Sequence, residues 1–186
     1  MSNERRCAWC NGNNPKYVEY HDNEWGVPCF TDKYLFEMLI LESFQAGLSW
    51  ECVLNKRDAF RLAFDGFDID RMAEYNADKI SRLMQNSGII RNRRKIEASI
   101  RNAKIIKEIV REFGSFYGYL KTFYDGETVY ETDKTSNALS DTISRDLVGR
   151  GMSFVGSTII YSFLQSVGII YSHDENCFYI RRLDPC

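Results

Sequence analysis

A carboxylate stands out of pattern at Glu42. Over residues 32–46, with Thr31 as a plausible N-cap and Gly47 as the stop, the spacing predicts a helix. At about 100° per residue, Leu35, Leu39, Glu42 and Ala46 share a sector of roughly 60°, with Lys33 and Glu37 opposite. A carboxylate on that inward stripe needs a partner, because burying it alone costs several kcal/mol. It is either a satisfied core or boundary glutamate, or a pocket carboxylate awaiting a cationic or amino-bearing ligand. Aromatic residues supply walls for the second reading: Trp9, Tyr17, Tyr20 and Trp25 lie early in the chain, and Trp50 follows the turn after Gly47. A negative group among such rings suits a flat cation, through stacking and cation–π attraction of about 0.5–2 kcal/mol per ring.

Soft metal ligands form a second group. The spacing His173-x₃-Cys177 puts two of them within reach of one ion, and Cys7 and His21 could complete a tetrahedral Cys₂His₂ zinc site. Such a site would tie the two ends of the chain together. Cys7-x₂-Cys10 is a rival ligand pair, and unrelated residues are the plain alternative. Cys29, Cys52 and Cys186 have no partner spacing and read as core or surface thiols.

A third group is basic. Gly88, Ile89 and Ile90 form a tight turn between two predicted helices, and the second opens with Arg91, Arg93, Arg94 and Lys95. Free N–H groups at a helix start bind phosphate oxygens, and neighbouring cations reinforce them. This reads as a helix-hairpin-helix docking surface for a DNA backbone, without base specificity; a merely solvated charged face is the alternative.

The elements that must position these groups are almost all helical, and the class is all-α. Ser49 can cap a helix to about Phe64, Asn76 one over 77–85, and a long helix runs over 92–113 with Ile96, Ile100, Ala103 and Ile106 on one face. The segment 115–124 is aromatic and helical, and Ser136 can cap a helix over 137–148. The uncharged run 151–172 is expected to form the last long helix. Its serines and Gln165 make it too polar for a membrane span. Residues 127–132 alternate weakly as a strand, with nothing to pair. With 186 residues, 44% hydrophobic, the chain reads as one domain over 1–186. A net charge of −2 gives no global attraction to polyanions. The N-terminus has no apolar signal segment, so the cytoplasm is the expected location.

Several motifs together carry a resemblance. Tyr20-His21-Asp22-Asn23-Glu24-Trp25-Gly26-Val27-Pro28, Leu35-Phe36-Glu37-Met38, Leu41-Glu42-x-x-Gln45-Ala46-Gly47-Leu48-Ser49-Trp50, Gly88-Ile89-Ile90-Arg91 and Phe154-Val155-Gly156-Ser157-Thr158-Ile159 closely resemble the 3-methyladenine DNA glycosylase I family, from Cys7 to Cys177. The resemblance implies a helix-hairpin-helix glycosylase fold, a structural zinc, and hydrolytic excision of 3-methyladenine from alkylated double-stranded DNA. It implies Cys7, His21, His173 and Cys177 as zinc ligands. It also implies a pocket of Glu42, Tyr17, Tyr20 and Trp50 around a flipped base, with Trp9 and Trp25 nearby, and Leu48 as a wedge in the stack. No protein partner is implied, and a monomer is expected.

The turn reads Gly-Ile-Ile rather than the Gly-x-Gly of the wider superfamily, and residues after Cys177 offer little to compare. No aspartate occurs between Asp78 and Asp125, where many helix-hairpin-helix glycosylases keep a catalytic one. A base that is already cationic leaves as a neutral molecule and tolerates that loss. Lys95 reads as a phosphate contact rather than a Schiff-base nucleophile, so strand cleavage is not expected. The rival reading from the residues is a non-catalytic, zinc-stabilised module that binds nucleic acid or a cationic ligand.

Overall fold

The second helix of the chain is apolar on every side, and this decides where it lies. In the computed structural model, which describes residues 5–179, α2 (Asp32–Gln45) is buried from Leu35 through Phe44. A helix without a polar face belongs in the interior. Thr31 caps it, its Oγ1 accepting from the Tyr34 N–H at 3.4 Å. Glu37, expected opposite the buried stripe, is itself buried. The run Leu35-Phe36-Glu37-Met38-Leu39-Ile40-Leu41 defines no single stripe, so the expected polar face does not exist.

The other elements pack around α2. Preceding it is α1 (Pro15–Asn23), which begins with proline and is capped by Asn14; the sequence reading did not foresee it. The helix expected from Ser49 to Phe64 is broken into α3 (Trp50–Leu54) and α4 (Arg57–Ala63). A single 3₁₀ turn, Asp65–Phe67, leads to α5 (Ile69–Ala73). Then come α6 (Ala77–Gln85), capped by Asn76 as the sequence predicts, and α7 (Arg93–Phe113), for which Asn92, expected as the first helical residue, is the cap. The predicted face of Ile96, Ile100, Ala103 and Ile106 is buried, and Gly114, at φ 81°, ends α7 in the left-handed conformation. Only Phe116–Leu120 of the aromatic segment forms a helix, α8.

The C-terminal third corrects three expectations. Asn137, not Ser136, caps α9 (Ala138–Gly149), in a reciprocal box with Ser140. The uncharged run is helical only over α10 (Ser157–Ser166). After it Gly168 turns at φ 79°, so close to Pro28 that a Cβ would lie 2.5 Å from the Pro28 nitrogen. That turn feeds β2 (Ile170–Tyr171), which pairs in parallel with β1 (Val129–Tyr130), so the weak strand signal does find a partner. Among the described residues no helix is long and apolar enough to cross a membrane. Cys186 lies outside the described residues.

Candidate functional site

Glu42 reaches a cavity of about 310 Å³ lined by Trp9, Tyr17, Tyr20, Trp25 and Trp50, all the aromatic residues singled out for that role. α1 supplies the two tyrosines, α2 the carboxylate and α3 Trp50. The rings brace one another: Trp9 lies edge-on 5.3 Å from Tyr17 and 4.8 Å from Trp25, and Tyr20 lies tilted 5.4 Å from Trp50. Gln45, Ser162, Gln165, Ser172, Asp133 and Asp174 complete the lining. Sequence reasoning missed these six, although polar Ser162 and Gln165, three apart on one helix without a charge, were a signal.

The electrostatics of the cavity are unusual. Glu42 is buried, and its Oε2 has no hydrogen-bond partner. The Trp9 and Trp50 indole N–H groups are also buried without acceptors. Buried polar atoms are normally satisfied, so an acceptor and two donors left open around one cavity mark a place for a ligand. Burial alone pushes the Glu42 carboxyl up to about 8. With no cation beside it, the side chain is therefore mostly protonated at neutral pH, not the standing anion that the sequence suggested. A bound cation or N–H donor would draw it back to the ionised form.

Glu37, five residues earlier, shows the satisfied alternative. Its Oε1 accepts from Arg57 Nε at 2.6 Å and from Arg61 Nε at 2.8 Å, and Arg57 Nη1 also donates to Glu24 at 2.7 Å.

Beside the aromatic cavity, Cys7, His21, His173 and Cys177 converge, all buried, with their ligand atoms within 4.8 Å of one another. Cys7 Sγ lies 3.4 Å from His173 Nδ1, and Cys177 Sγ lies 3.5 Å from both His173 Nδ1 and His21 Nε2. These match the roughly 3.5 Å sulfur–nitrogen edge of a tetrahedron with metal bonds of about 2.3 and 2.0 Å. The outer ring nitrogens are held as a metal site requires: His21 Nδ1 is 2.8 Å from Asp22, itself paired with Arg6, and His173 Nε2 is 3.2 Å from the Trp25 carbonyl. Burial lowers both imidazoles, His173 to about 4, which keeps them neutral and available as ligands. Cys10 stands apart, its thiol turned toward the Tyr17 carbonyl at 3.8 Å.

The basic turn is only partly as expected. Arg91, Arg93 and Arg94 are exposed, with Arg93 paired to Glu97 at 3.4 Å. Gly88 is tightly fitted, since a Cβ there would lie 3.0 Å from the Ala59 side chain. The Gly88 and Ile89 N–H groups are already donated to Asn86, and the Ile89 side chain is core, so neither offers the free contact expected. Ile90 is half-buried. Lys95 corrects the reading most clearly. It is buried, and its Nζ donates to the Phe44 and Ala46 carbonyls at 2.7 and 2.6 Å. It caps the end of α2 instead of facing a phosphate, because the α2 C-terminus leaves carbonyls that need a donor. Leu48, on the turn just beyond, is exposed.

Fold and cavity together define a helical receptor for a flat ring bearing positive charge or N–H donors. A family model described as methyladenine glycosylase matches residues 9–180. The chain is 41% identical to DNA-3-methyladenine glycosylase 1 of Escherichia coli (strain K12), covering 92% of this chain and 95% of the relative. A crystal structure of 3-methyladenine DNA glycosylase I superposes with a TM-score of 0.89 at 42% identity, covering 94% of this chain and 98% of the other. A Staphylococcus aureus enzyme, solved to explain 3-methyladenine recognition, superposes with a TM-score of 0.88 at 33% identity, covering 93% and 95%. The chain belongs to the 3-methyladenine DNA glycosylase I family and is itself a DNA glycosylase of that kind, an enzyme of base-excision repair.

Proposed function

We propose that this enzyme hydrolyses the N-glycosidic bond of 3-methyladenine in alkylated duplex DNA, without strand cleavage, after turning the nucleotide out of the stack into the aromatic cavity. The observation that carries this reading is the buried, unpartnered Oε2 of Glu42 among five aromatic rings. Extrusion costs a few kcal/mol of unstacking, which stacking on Trp50 and Tyr20 offsets. Methylation at N3 makes the base cationic in DNA. Its charge and amino edge together favour the ionised Glu42, whereas neutral adenine offers the amino edge alone and favours it less. Glu42 thus holds the leaving base while water attacks C1′, and the base departs neutral.

Leu48, exposed at the end of α2, is suited to fill the gap in the stack. Arg91 and Arg94, with the turn over 86–92, act as a helix-hairpin-helix contact to the phosphates, and the protein works as a monomer in the cytoplasm. Cys7, His21, His173 and Cys177 hold a structural zinc ion, which when bound supplies a cross-link between the N-terminal segment carrying Trp9 and the C-terminal segment. The zinc role is checked by elemental analysis of protein purified without added metal, where about one zinc per chain is expected.

The test of the reaction is release of free 3-methyladenine from methylated duplex DNA by wild type and Glu42→Gln in parallel. The wild type should release the base, and the variant should fold yet release it at least about a hundredfold more slowly. Equal rates would remove Glu42 from the mechanism.

A further inference from the structure

On the buried side of α7, two polar side chains seven residues apart, hence two turns along one face, hold two surface corners. Lys95 holds the end of α2 that leads to Leu48. Asn102, fully buried, holds Ser153 from both sides: its Nδ2 donates to the Ser153 carbonyl at 3.0 Å, and its Oδ1 accepts the Ser153 N–H at 3.1 Å. Arg101 adds a third bond, from Nη2 to Ser153 Oγ at 2.9 Å. The residue so braced is followed by Phe154, whose backbone sits at φ 59°.

For a bulky aromatic residue that left-handed conformation is strained and persists only where neighbours enforce it. Phe67 shares the conformation at φ 56°, but its ring is fully buried and packing accounts for it. The Phe154 side chain is only partly buried, its ring 5.7 Å from the Lys95 ammonium, and it lines a groove with Arg94, Arg101 and Glu97. Full burial does not account for the strained Phe154, which follows a triply braced serine and lines a groove with two arginines.

We propose that the Ser153–Phe154 corner, with Arg101, is a second contact surface for duplex DNA, further along α7 from the Lys95 side chain that holds the end of α2. Arg101 would neutralise a backbone phosphate while the Phe154 ring packs on a sugar or an exposed base face. The proposal rests on the assignment of duplex DNA as substrate and extends the footprint beyond the hairpin, to residues that touch neither the base cavity nor Glu42.

The experiment measures duplex affinity by fluorescence anisotropy on labelled methylated DNA for wild type, Phe154→Gly and Arg101→Ala. Glycine accepts the φ value without strain, so the first variant is expected to fold. Its duplex Kd should rise about tenfold through loss of the ring. Arg101→Ala should raise Kd about threefold and flatten the salt dependence by about one ion. Binding of free 3-methyladenine, followed by tryptophan fluorescence, should stay unchanged in both. The proposal is overturned if duplex Kd for Phe154→Gly stays within about twofold of wild type, or that of Arg101→Ala does should the glycine variant fail to fold. Parallel loss of free-base binding would also overturn it, since the corner would then serve only the pocket's structure. Base release by wild type reports separately on the proposed reaction, and duplex affinity on this surface.

Discussion

Glu37 and Glu42 lie on the same helix, five residues apart, and both are buried. Glu37 meets Arg57 and Arg61 and is part of a network that ties α1, α2 and α4 together. Glu42 meets aromatic rings and a cavity, with one oxygen unpartnered. The first carboxylate is a structural post. The second has one oxygen unsatisfied, at a cost in stability, as is common at active sites. What distinguishes them is the nearest cation: Glu37 has an internal one, and Glu42, in the mechanism proposed above, finds one in the substrate.

The contrast breaks most visibly at Arg57. Arg57→Met would leave Glu37 buried without its inner partner, and denaturant unfolding should show a loss of about 3–5 kcal/mol. The same measurement on Glu42→Gln should give the opposite sign. A carboxyl whose folded value is about 8, against an ordinary 4.5, stabilises the fold fully below pH 4.5 and loses that contribution as pH rises through 8. Glu42→Gln should therefore be more stable than wild type by about 3 kcal/mol at pH 7. The gap should close near pH 4 and level off above pH 8; a pH-independent gap would contradict the burial argument. Trp50→Ala has the smallest effect. It removes one wall, costs about 1–3 kcal/mol of base affinity by calorimetric titration, and admits water that brings the Glu42 carboxyl back toward its ordinary range.

Much of this arrangement was legible in the sequence. The capped α6, the span of α7, the α2 boundaries, the aromatic residues of the cavity and the buried cluster of two cysteines and two histidines follow from cap residues, spacing and motif resemblance. What was not legible depended on three-dimensional partners. Glu37 looked exposed because helical periodicity reports one stripe and α2 is buried all round. Lys95 looked like a phosphate contact because it stands in a basic run, yet its reach across to the α2 carbonyls has no local signature. The short parallel pairing of β1 with β2 joins residues about forty apart, and two-residue strands carry almost no pattern. The run 151–172 looked like one helix because it lacks charge, whereas its glycines and Phe154 break it.

The central claim is that Glu42 is a desolvated carboxyl that a bound base draws back to its ionised form. Its most direct test is an isotope-edited NMR titration of the Glu42 carboxyl carbon, with and without saturating 3-methyladenine. The free protein should titrate near pH 8, and the bound form at least about two units lower, as N–H donors hold the ionised group. A midpoint near 4.5 in the free protein, or one that the ligand does not move, would contradict the account.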